Sequence, residues 1–302
     1  MNHPSHYPFA SESKKARYLA HLQQRAAAWP IPFEGRTVET ARGRTFMRIS
    51  GPADAPPLVL LPGGGTSSLM WQPNIGGLSA HYRTYALDSI VDLGLSANTH
   101  PVKTVDDLTT WLEELFEALR LGPGLRLMGL SHGAWLAAHY AYRFPSRLAK
   151  VVLLAPPGWA VAIRPGYLLR MMQILLPPRR VFIRKVYRES LPGLVATGAS
   201  GLKLIDEMTD DLALAFECFG LRRMTQMLEP TVAEDERLRL TMPTLFVIGE
   251  HEVMYPAQEA LDRLARVAPG IQRLLIPGVG HDLTWARPDE LNRHVLAFLD
   301  AT

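Results

Sequence analysis

Short apolar runs alternate with longer amphipathic segments over most of the chain. The apolar runs predict strands at residues 58–61, 82–87, 125–130, 151–154, 244–248 and 271–276. Helices are predicted between them at residues 104–119, 134–144, 257–267 and 290–299. Strands that are separated by long helical segments pair in parallel, and helices then cover both faces of the sheet. The pattern therefore predicts an α/β fold with a mostly parallel sheet flanked by helices.

Two segments depart from this alternation. Residues 11–29 predict a leading helix that ends at Pro30, and residues 37–50 predict a hairpin. The apolar positions of the leading helix are Tyr18, Leu19, Leu22 and Trp29. Residues 158–240 lose the strand–helix alternation and have a helical, Met/Leu-rich pattern. We expect three parts: an N-terminal helical extension (1–36), a core (37–157 and 241–302) and a helical insert (158–240).

Composition and charge narrow the range of functions. The net charge of +3 over 302 residues is too small to indicate a nucleic-acid partner. The single cysteine, Cys218, rules out an intramolecular disulfide and fits a reducing compartment, so we expect a cytoplasmic protein. The N-terminus lacks a basic region followed by an apolar run, and the most apolar stretch, residues 167–176, is too short and too charged to span a bilayer. We expect no membrane span, and the sequence leaves homo-oligomerisation open.

A glycine-flanked serine lies between the predicted strand at 125–130 and the predicted helix at 134–144. The segment Gly129-Leu130-Ser131-His132-Gly133 has the G-x-S-x-G pattern of a nucleophile elbow. The serine must occupy a strained turn in which the strand and helix backbones pass closely, so a side chain at either glycine would collide. The turn also places the N–H of His132 at a helix start, where the dipole favours developing negative charge.

With this motif in this context, the chain resembles the α/β-hydrolase fold superfamily, and within it the lidded, carboxylesterase-like serine hydrolases. The resemblance covers most of residues 37–302. It implies that Ser131 is a nucleophile and that its acid and histidine partners follow in that order. It also implies that the insert at 158–240 is a lid. A small-molecule ester with an apolar acyl or aryl part is the implied substrate, and no metal or organic cofactor is needed.

The predicted general base is His281, on a glycine-flanked loop directly after the last predicted strand. In the hydrolases that this chain resembles, that loop holds the base over the nucleophile, and the Arg-Pro-Asp-Glu helix start at 287–290 strengthens the match. A neutral imidazole takes the serine proton and returns it to the leaving group. The other candidates lie in predicted helices or near the N-terminus: His139, His294, His3 and His6.

Two glutamates after the strand at 244–248 compete for the role of the acid. The family usually places an aspartate three residues after the strand-ending glycine, and here that position is Glu252. A glutamate can do the same job, because it accepts the imidazole Nδ1–H, fixes the tautomer and stabilises the imidazolium. Glu250 is the alternative. Without a catalytic role, either carboxylate would be a solvated loop charge or a dipole partner at the N-terminus of the helix that starts near Pro256.

The oxyanion hole needs two backbone N–H groups aimed at one oxygen. His132 is expected to supply one of them. The other should come from the loop 62–66, in which Pro-Gly replaces the family's His-Gly pair; by position Gly64 is the predicted donor, with Gly65 second. Pro62 has no N–H. Since no Gly-Lys-Ser/Thr follows, this glycine-rich loop is not a phosphate-binding P-loop.

Asp88 and Asp92 lie on the loop after the strand at 82–87, which resembles the corresponding loop of lidded carboxylesterases. We predict that both brace the loop and that neither is catalytic. Haloalkane dehalogenases and epoxide hydrolases use an aspartate at the elbow, so the serine at position 131 argues against both activities.

The insert carries an apolar set and a basic run. The apolar set could line an acyl or aryl pocket, although packing is the favoured role for any single member. Its members are Trp159, Tyr167, Leu168, Leu169, Met171, Met172, Ile174, Leu175, Leu176, Leu212, Leu214, Phe216, Phe219, Leu221, Met224, Met227 and Leu228. The basic run from Arg164 to Arg188 contains seven cationic side chains before the first carboxylate, Glu189. A solvated helix face is favoured for it, and steering of anionic substrates is the alternative.

The sequence thus predicts a serine hydrolase of carboxylic esters that acts through an acyl-enzyme on Ser131, with His281 and Glu252 as partners. An acyltransferase or a C–C bond hydrolase would use the same triad. A ligand receptor that retains the pocket without useful turnover is the alternative from another class, and the intact triad argues against it.

Overall fold

The structure is a computed structural model that describes residue 5 and residues 7–175, 179–219 and 232–301. Its centre is one sheet of nine strands. The strands are β1 (Glu34–Thr40), β2 (Gly43–Ser50), β3 (Pro57–Leu61), β4 (Arg83–Leu87), β5 (Ala97–Asn98), β6 (Leu125–Leu130), β7 (Leu148–Leu154), β8 (Thr244–Gly249) and β9 (Gln272–Ile276).

The sheet is mixed and mostly parallel. Its strand order is β1-β2-β4-β3-β6-β7-β8-β9, and every pairing from β4 to β9 along this order is parallel. The hairpin of β1 and β2 joins it antiparallel at β4, and the short β5 pairs with β2. The predicted α/β fold and the hairpin at 37–50 are confirmed.

The helices follow the strands in the predicted alternation. Within the described residues they are α1 (Glu12–Ala26), α2 (Gln72–Ser79), α3 (Val105–Ala118), α4 (His132–Arg143), α5 (Pro165–Leu175), α6 (Arg180–Ser190), α7 (Pro192–Ala196), α8 (Ala199–Cys218), α9 (Asp235–Leu238), α10 (Ala257–Val267), α11 (Leu283–Ala286) and α12 (Pro288–Asp300). The start of α3 shows the local reason. Thr104 and Asp107 form a reciprocal capping box that satisfies two backbone N–H groups.

Helix α2 and strand β5 are among the elements that the sequence patterns did not predict. Helix α2 holds adjacent glycines, Gly76 and Gly77, and a proline in its first turn, so its intrinsic helix propensity is low. It forms because Ile75 and Leu78 are buried against the core. The two-residue strand β5 exists only through its pairing with β2, which no local pattern encodes.

Helices cover both faces of the sheet and bury a core on each. One face packs on α3 and α4, with Trp111, Phe116 and Tyr140 fully buried there. The opposite face packs on α2 and α12, with Trp71 and Phe298 buried. This two-sided burial explains why the central strands are apolar at nearly every position.

The leading helix α1 packs on α8 of the insert. Of the apolar positions of this helix, Tyr18 and Leu22 are buried, whereas Leu19 is 36% exposed. Trp29 is buried in the core beyond the end of α1, where its ring packs against Phe33. Phe9, Tyr18 and Phe219 form an aromatic cluster that fastens the segment before α1 to the end of α8.

Candidate active site

Ser131 occupies the predicted strained turn between β6 and α4. Its φ is +53°, a left-handed value that a non-glycine residue adopts rarely. A Cβ on Gly129 would lie 2.4 Å from the backbone of Gly133, and a Cβ on Gly133 would lie 2.4 Å from the Leu61 carbonyl oxygen. The steric reason predicted for the two glycines is therefore confirmed. The turn is held in place by the Ser131 N–H, which donates to the Leu154 carbonyl at 2.8 Å.

His281 and Glu252 form a close pair at the carboxyl ends of β9 and β8. The Nδ1 atom of His281 lies 2.7 Å from Oε2 of Glu252. The Glu252 side chain is fully buried, and its other oxygen accepts the Met254 N–H at 2.9 Å. The His281 N–H donates to the Ser190 carbonyl at 3.0 Å, so the insert helps to fix the loop.

Glu250 is placed differently. Its side chain is 49% exposed, and Oε2 accepts the Gly278 N–H at 2.9 Å. It also lies near the exposed His251 imidazole, at 3.8 Å. The structure brings Glu252, and not Glu250, to the imidazole of His281.

The surroundings of His281 act on its pKa in opposite directions. Burial alone lowers the pKa of His281, because it penalises the imidazolium. The charge of Glu252, the hydrogen bond to it and the charge of Asp282 raise the pKa, and the net result is a pKa above the ordinary histidine value. The pair is therefore built to stabilise a protonated imidazole.

Ser131 and His281 line one cavity of about 200 Å³. The structure shows no direct hydrogen bond between the two side chains. Catalytic hydrogen bonds are often long until a substrate complex forms, so this does not separate them functionally. The shared cavity places a serine hydroxyl and a carboxylate-paired imidazole in one enclosed space.

Comparison with known proteins shows the family of this chain. A family model described as "Alpha/beta hydrolase family" matches residues 58–294. The chain is 31% identical to "Carboxylesterase YbfK" of Bacillus subtilis (strain 168), over 96% of each chain. The chain belongs to the alpha/beta hydrolase family.

Solved structures extend the comparison. The crystal structure of carboxylesterase CesB (YbfK) from Bacillus subtilis superposes with a TM-score of 0.85 at 29% identity, covering 95% of this chain and 99% of that one. The crystal structure of naproxen esterase from Bacillus subtilis gives a TM-score of 0.85 at 27% identity, covering 96% and 99%. Both superpositions thus extend over nearly the whole length of this alpha/beta hydrolase.

The glycine-rich loop of this alpha/beta hydrolase lies beside the elbow. The built Cβ position of Gly63 is 3.5 Å from Cβ of Ser131. The N–H of Gly63 donates to Sδ of Met70 at 3.0 Å, and the N–H of Gly65 donates to Oδ2 of Asp92 at 2.8 Å. Gly64 lies between them, and its N–H makes no hydrogen bond to any protein atom in the described part of the chain. His132, the other predicted donor, begins α4 directly after Ser131.

The predicted bracing aspartates are both buried and both hold backbone. Asp88 accepts the N–H of Ser68 and the N–H of Leu95, each at 2.7 Å. Asp92 accepts the N–H of Gly65 at 2.8 Å and of Leu93 at 2.7 Å. Arg48, itself buried, lies 3.9 Å from Asp88 and supplies the balancing charge. The bracing role predicted for this loop is confirmed.

The N-terminal helix forms part of the cavity wall, which sequence reasoning missed. Tyr18, His21, Leu22 and Arg25 of α1 line the same cavity as Ser131. Their spacing of three, one and three residues places them on one face of the helix. Periodicity alone could therefore have indicated that another element covers this face. What covers it is α8, which no local pattern identifies.

Ion pairs join α1 to α8 at the cavity. His21 Nε2 lies 2.6 Å from Asp211 Oδ1, and Arg25 Nε lies 3.2 Å from Asp211 Oδ2. A third contact joins Arg25 to Glu207 at 2.9 Å. These contacts close the wall between the leading helix and the insert.

The apolar set of the insert is divided between packing and cavity lining. Leu212 lines the cavity, together with Tyr187, Leu191, Leu194 and Met208, which were not singled out from the sequence. Other members pack or face solvent: Trp159 and Ile174 are buried in cores, and Leu169 and Met172 are exposed. Five members lie outside the described residues: Leu176, Leu221, Met224, Met227 and Leu228.

The basic run does not line the cavity, so steering of anionic substrates, the alternative interpretation of this run, has no support in the structure. None of its seven cationic side chains lines the cavity. Instead Arg180 pairs with Asp210, and Arg184 lies 2.5 Å from Asp206, both on α8. Arg170 pairs with Glu189 at 2.7 Å. A positive face predicted from local sequence is thus partly neutralised by carboxylates from a neighbouring helix.

Among the described residues, no helix is both long and apolar enough to cross a bilayer.

Proposed function

We propose that this chain is a serine hydrolase of carboxylic esters, of the carboxylesterase type, acting on small-molecule esters with an apolar acyl or aryl part. The observation that carries the proposal is that Ser131 and His281 line one cavity under a helical insert, and that His281 is paired with the buried carboxylate of Glu252. The relatives named carboxylesterases, which match over nearly the whole chain, support the choice of ester bonds. We further propose that residues 158–240 form the lid and that the protein is cytoplasmic.

In the proposed acylation step, Ser131 Oγ attacks the ester carbonyl carbon and its proton passes to Nε2 of His281. Glu252 accepts Nδ1–H at 2.7 Å, which fixes the tautomer that leaves Nε2 free to accept. The negative charge that develops on the former carbonyl oxygen is stabilised by the N–H groups of Gly64 and His132. Collapse of the tetrahedral species expels the alcohol, which takes the proton from His281.

Deacylation repeats the sequence with water. His281 takes a proton from water as water attacks the acyl-enzyme carbonyl, and returns it to Ser131 Oγ as the ester bond to the enzyme breaks. The reaction needs no metal or organic cofactor. The buried Glu252 carboxylate is positioned to stabilise the imidazolium in both steps, because its charge and hydrogen bond raise the pKa of His281.

The cavity walls support an ester with an apolar part. Leu22, Leu130, Leu191, Leu194 and Leu212 contribute apolar surface around the serine. We expect medium acyl chains to be favoured over long ones, since the cavity is closed on one side by α1 and on another by the insert.

A panel of p-nitrophenyl esters from C2 to C12 tests the function, with wild type and Ser131→Ala compared at each length. Wild type should turn over, Ser131→Ala should not, and a fluorophosphonate probe should label wild type alone. Absence of esterase activity, with turnover of a C–C substrate or acyl transfer to an alcohol, would replace the proposal by the alternative reaction. Labelling of Ser131→Ala at the wild-type rate would overturn the nucleophile assignment.

A further inference from the structure

The three glycine N–H groups of the loop 62–66 differ in what they bind. Gly63 donates to a methionine sulfur and Gly65 to a carboxylate, both of which belong to the protein. Gly64, which lines the cavity that holds Ser131, is the one of the three whose N–H has no hydrogen-bond partner among residues 7–175, 179–219 and 232–301. A donor without a partner is useful as an oxyanion donor only when its direction is fixed beforehand, since preorganisation is the source of the stabilisation.

The direction of the Gly64 N–H is set by the peptide plane that joins Gly63 to Gly64. In a planar trans peptide the C=O and the N–H point in opposite directions. The Gly63 carbonyl of this plane accepts the hydroxyl of Thr66 at 2.6 Å. By holding the carbonyl on one side, the Thr66 hydroxyl aims the Gly64 N–H to the other.

The following peptide plane, which joins Gly64 to Gly65, is held separately. Its N–H, on Gly65, donates to Oδ2 of Asp92 at 2.8 Å. Gly65 has a φ of +73° and both neighbours in the loop are small, so the backbone has many accessible conformations here. Two adjacent planes that meet at Gly64 are therefore each fixed by one side-chain hydrogen bond, one from Thr66 and one from Asp92.

The geometry of the bonds explains why the residue that holds the Gly64–Gly65 peptide plane is a carboxylate. Asp92 accepts two N–H groups, that of Gly65 on Oδ2 and that of Leu93 on Oδ1. An amide has one acceptor oxygen and an NH₂ group that would oppose the second N–H. Asp92 is 5% exposed, so water cannot easily substitute for either bond.

We infer that Thr66 and Asp92 are positioning residues of the esterase reaction, which fix the two peptide planes around Gly64 and so aim its N–H at the developing oxyanion. Neither side chain takes part in bond making. The inference rests on the proposed function, in which Gly64 is an oxyanion donor.

Thr66→Val tests the first plane, because it keeps the shape of the side chain and removes the hydroxyl. We expect kcat to fall roughly 10- to 100-fold with KM changed less than about threefold, since a misaimed donor weakens transition-state binding more than substrate binding. Thr66→Ser keeps the hydroxyl and should recover most of the lost kcat. Thr40→Val is the matched control: it removes the Thr40 hydroxyl bond to the Gly43 carbonyl, 3.0 Å long, in the β1–β2 hairpin, and kcat should not change.

Affinity for an alkyl boronic acid, which mimics the tetrahedral intermediate on Ser131, gives the second readout. It should weaken in Thr66→Val by about the same factor as kcat/KM, whereas a purely structural loss would reduce the active fraction and leave the affinity unchanged. Asp92→Asn, which loses one of two acceptors, should show the same correlation, and thermal melting of each variant identifies any that fail to fold. If Thr66→Val misfolds, the kcat and the boronate affinity of Asp92→Asn and Thr66→Ser test the positioning role instead.

The outcomes separate the two proposals. An inactive wild-type protein overturns the esterase proposal itself. An active wild type with Thr66→Val and Asp92→Asn at full kcat and full boronate affinity leaves the esterase proposal intact and overturns the positioning role. A fall in kcat that Thr66→Ser does not recover would also overturn it, because the hydroxyl would then not be the group that matters.

Discussion

The carboxylate of Asp282 accepts the N–H of Leu194 at 2.7 Å and thereby joins the residue after His281 to helix α7 of the insert. The other oxygen of Asp282 accepts the Gly280 N–H at 2.9 Å, which closes the loop that carries His281. One buried side chain therefore connects the loop of the proposed base to the proposed lid.

This link predicts the effect of Asp282→Asn. The amide can satisfy one of the two N–H groups, and the other would be left buried and unpaired. We expect a loss of about 1–3 kcal/mol in the free energy of unfolding, measured by urea denaturation. The kcat should fall as well, because the His281 loop loses one of its anchors. Unchanged stability would show that water or a shifted backbone replaces the lost bond.

Glu252→Gln should reduce kcat by roughly 10³- to 10⁴-fold, because an amide favours the wrong imidazole tautomer and cannot stabilise the imidazolium. Glu250→Gln is the matched control, two residues away on the same loop. Its side chain is half exposed and contacts the Gly278 N–H instead of His281, so we expect less than about a threefold loss in kcat. The reverse order of the two effects would assign the acid to Glu250.

The pH dependence of kcat/KM should follow the raised pKa of His281. The base works as neutral imidazole, and burial opposed by Glu252 leaves the pKa above its usual value of about 6.5. Activity is therefore expected to be lost as pH falls through a midpoint above about 6.5. The stability that the His281–Glu252 pair adds changes with pH in the opposite direction. It is fully present below the pKa of histidine in the unfolded chain and is lost as pH rises through the raised pKa of His281 in the folded protein. A midpoint below about 6 in wild type would contradict this.

Arg25→Gln should lower the melting temperature more than Arg17→Gln. Arg25 pairs with Glu207 and Asp211 at the cavity wall with 25% of its side chain exposed, whereas Arg17 pairs with Glu217 with 62% exposed. Exposed pairs contribute about 0.2–1 kcal/mol each, so we expect a shift of about 2–4 °C for Arg25→Gln and less for the control. Raising the salt concentration should narrow the difference. Equal shifts would mean that the ion pairs of Arg25 at the cavity wall stabilise the fold no more than the exposed Arg17–Glu217 pair.

The elbow and the order of the site residues follow from local sequence. Gly129 is required by a close approach to the backbone of Gly133 within the strand–turn–helix unit, so the pattern alone predicts the strained φ at Ser131. Gly133 is required by the backbone of Leu61 on the neighbouring strand β3. Glu252 and His281 each follow directly after an apolar strand. Parallel strands bring their carboxyl ends to one edge, so the sequence also predicts that the two side chains share a neighbourhood.

Only the tertiary structure decided which groups surround the serine. Helix α1 reaches the cavity through contacts with α8, and Arg25 and Asp211 are separated by most of the chain, a distance that periodicity does not bridge. For the same reason the local sequence did not show that part of the basic run is neutralised, since its partners Asp206 and Asp210 lie on another helix. Local patterns record which face of an element avoids water, because that depends on neighbours within a few residues. Which second element covers that face depends on packing and charge pairing across the whole fold, and this determined the walls of the cavity and the braces around Gly64.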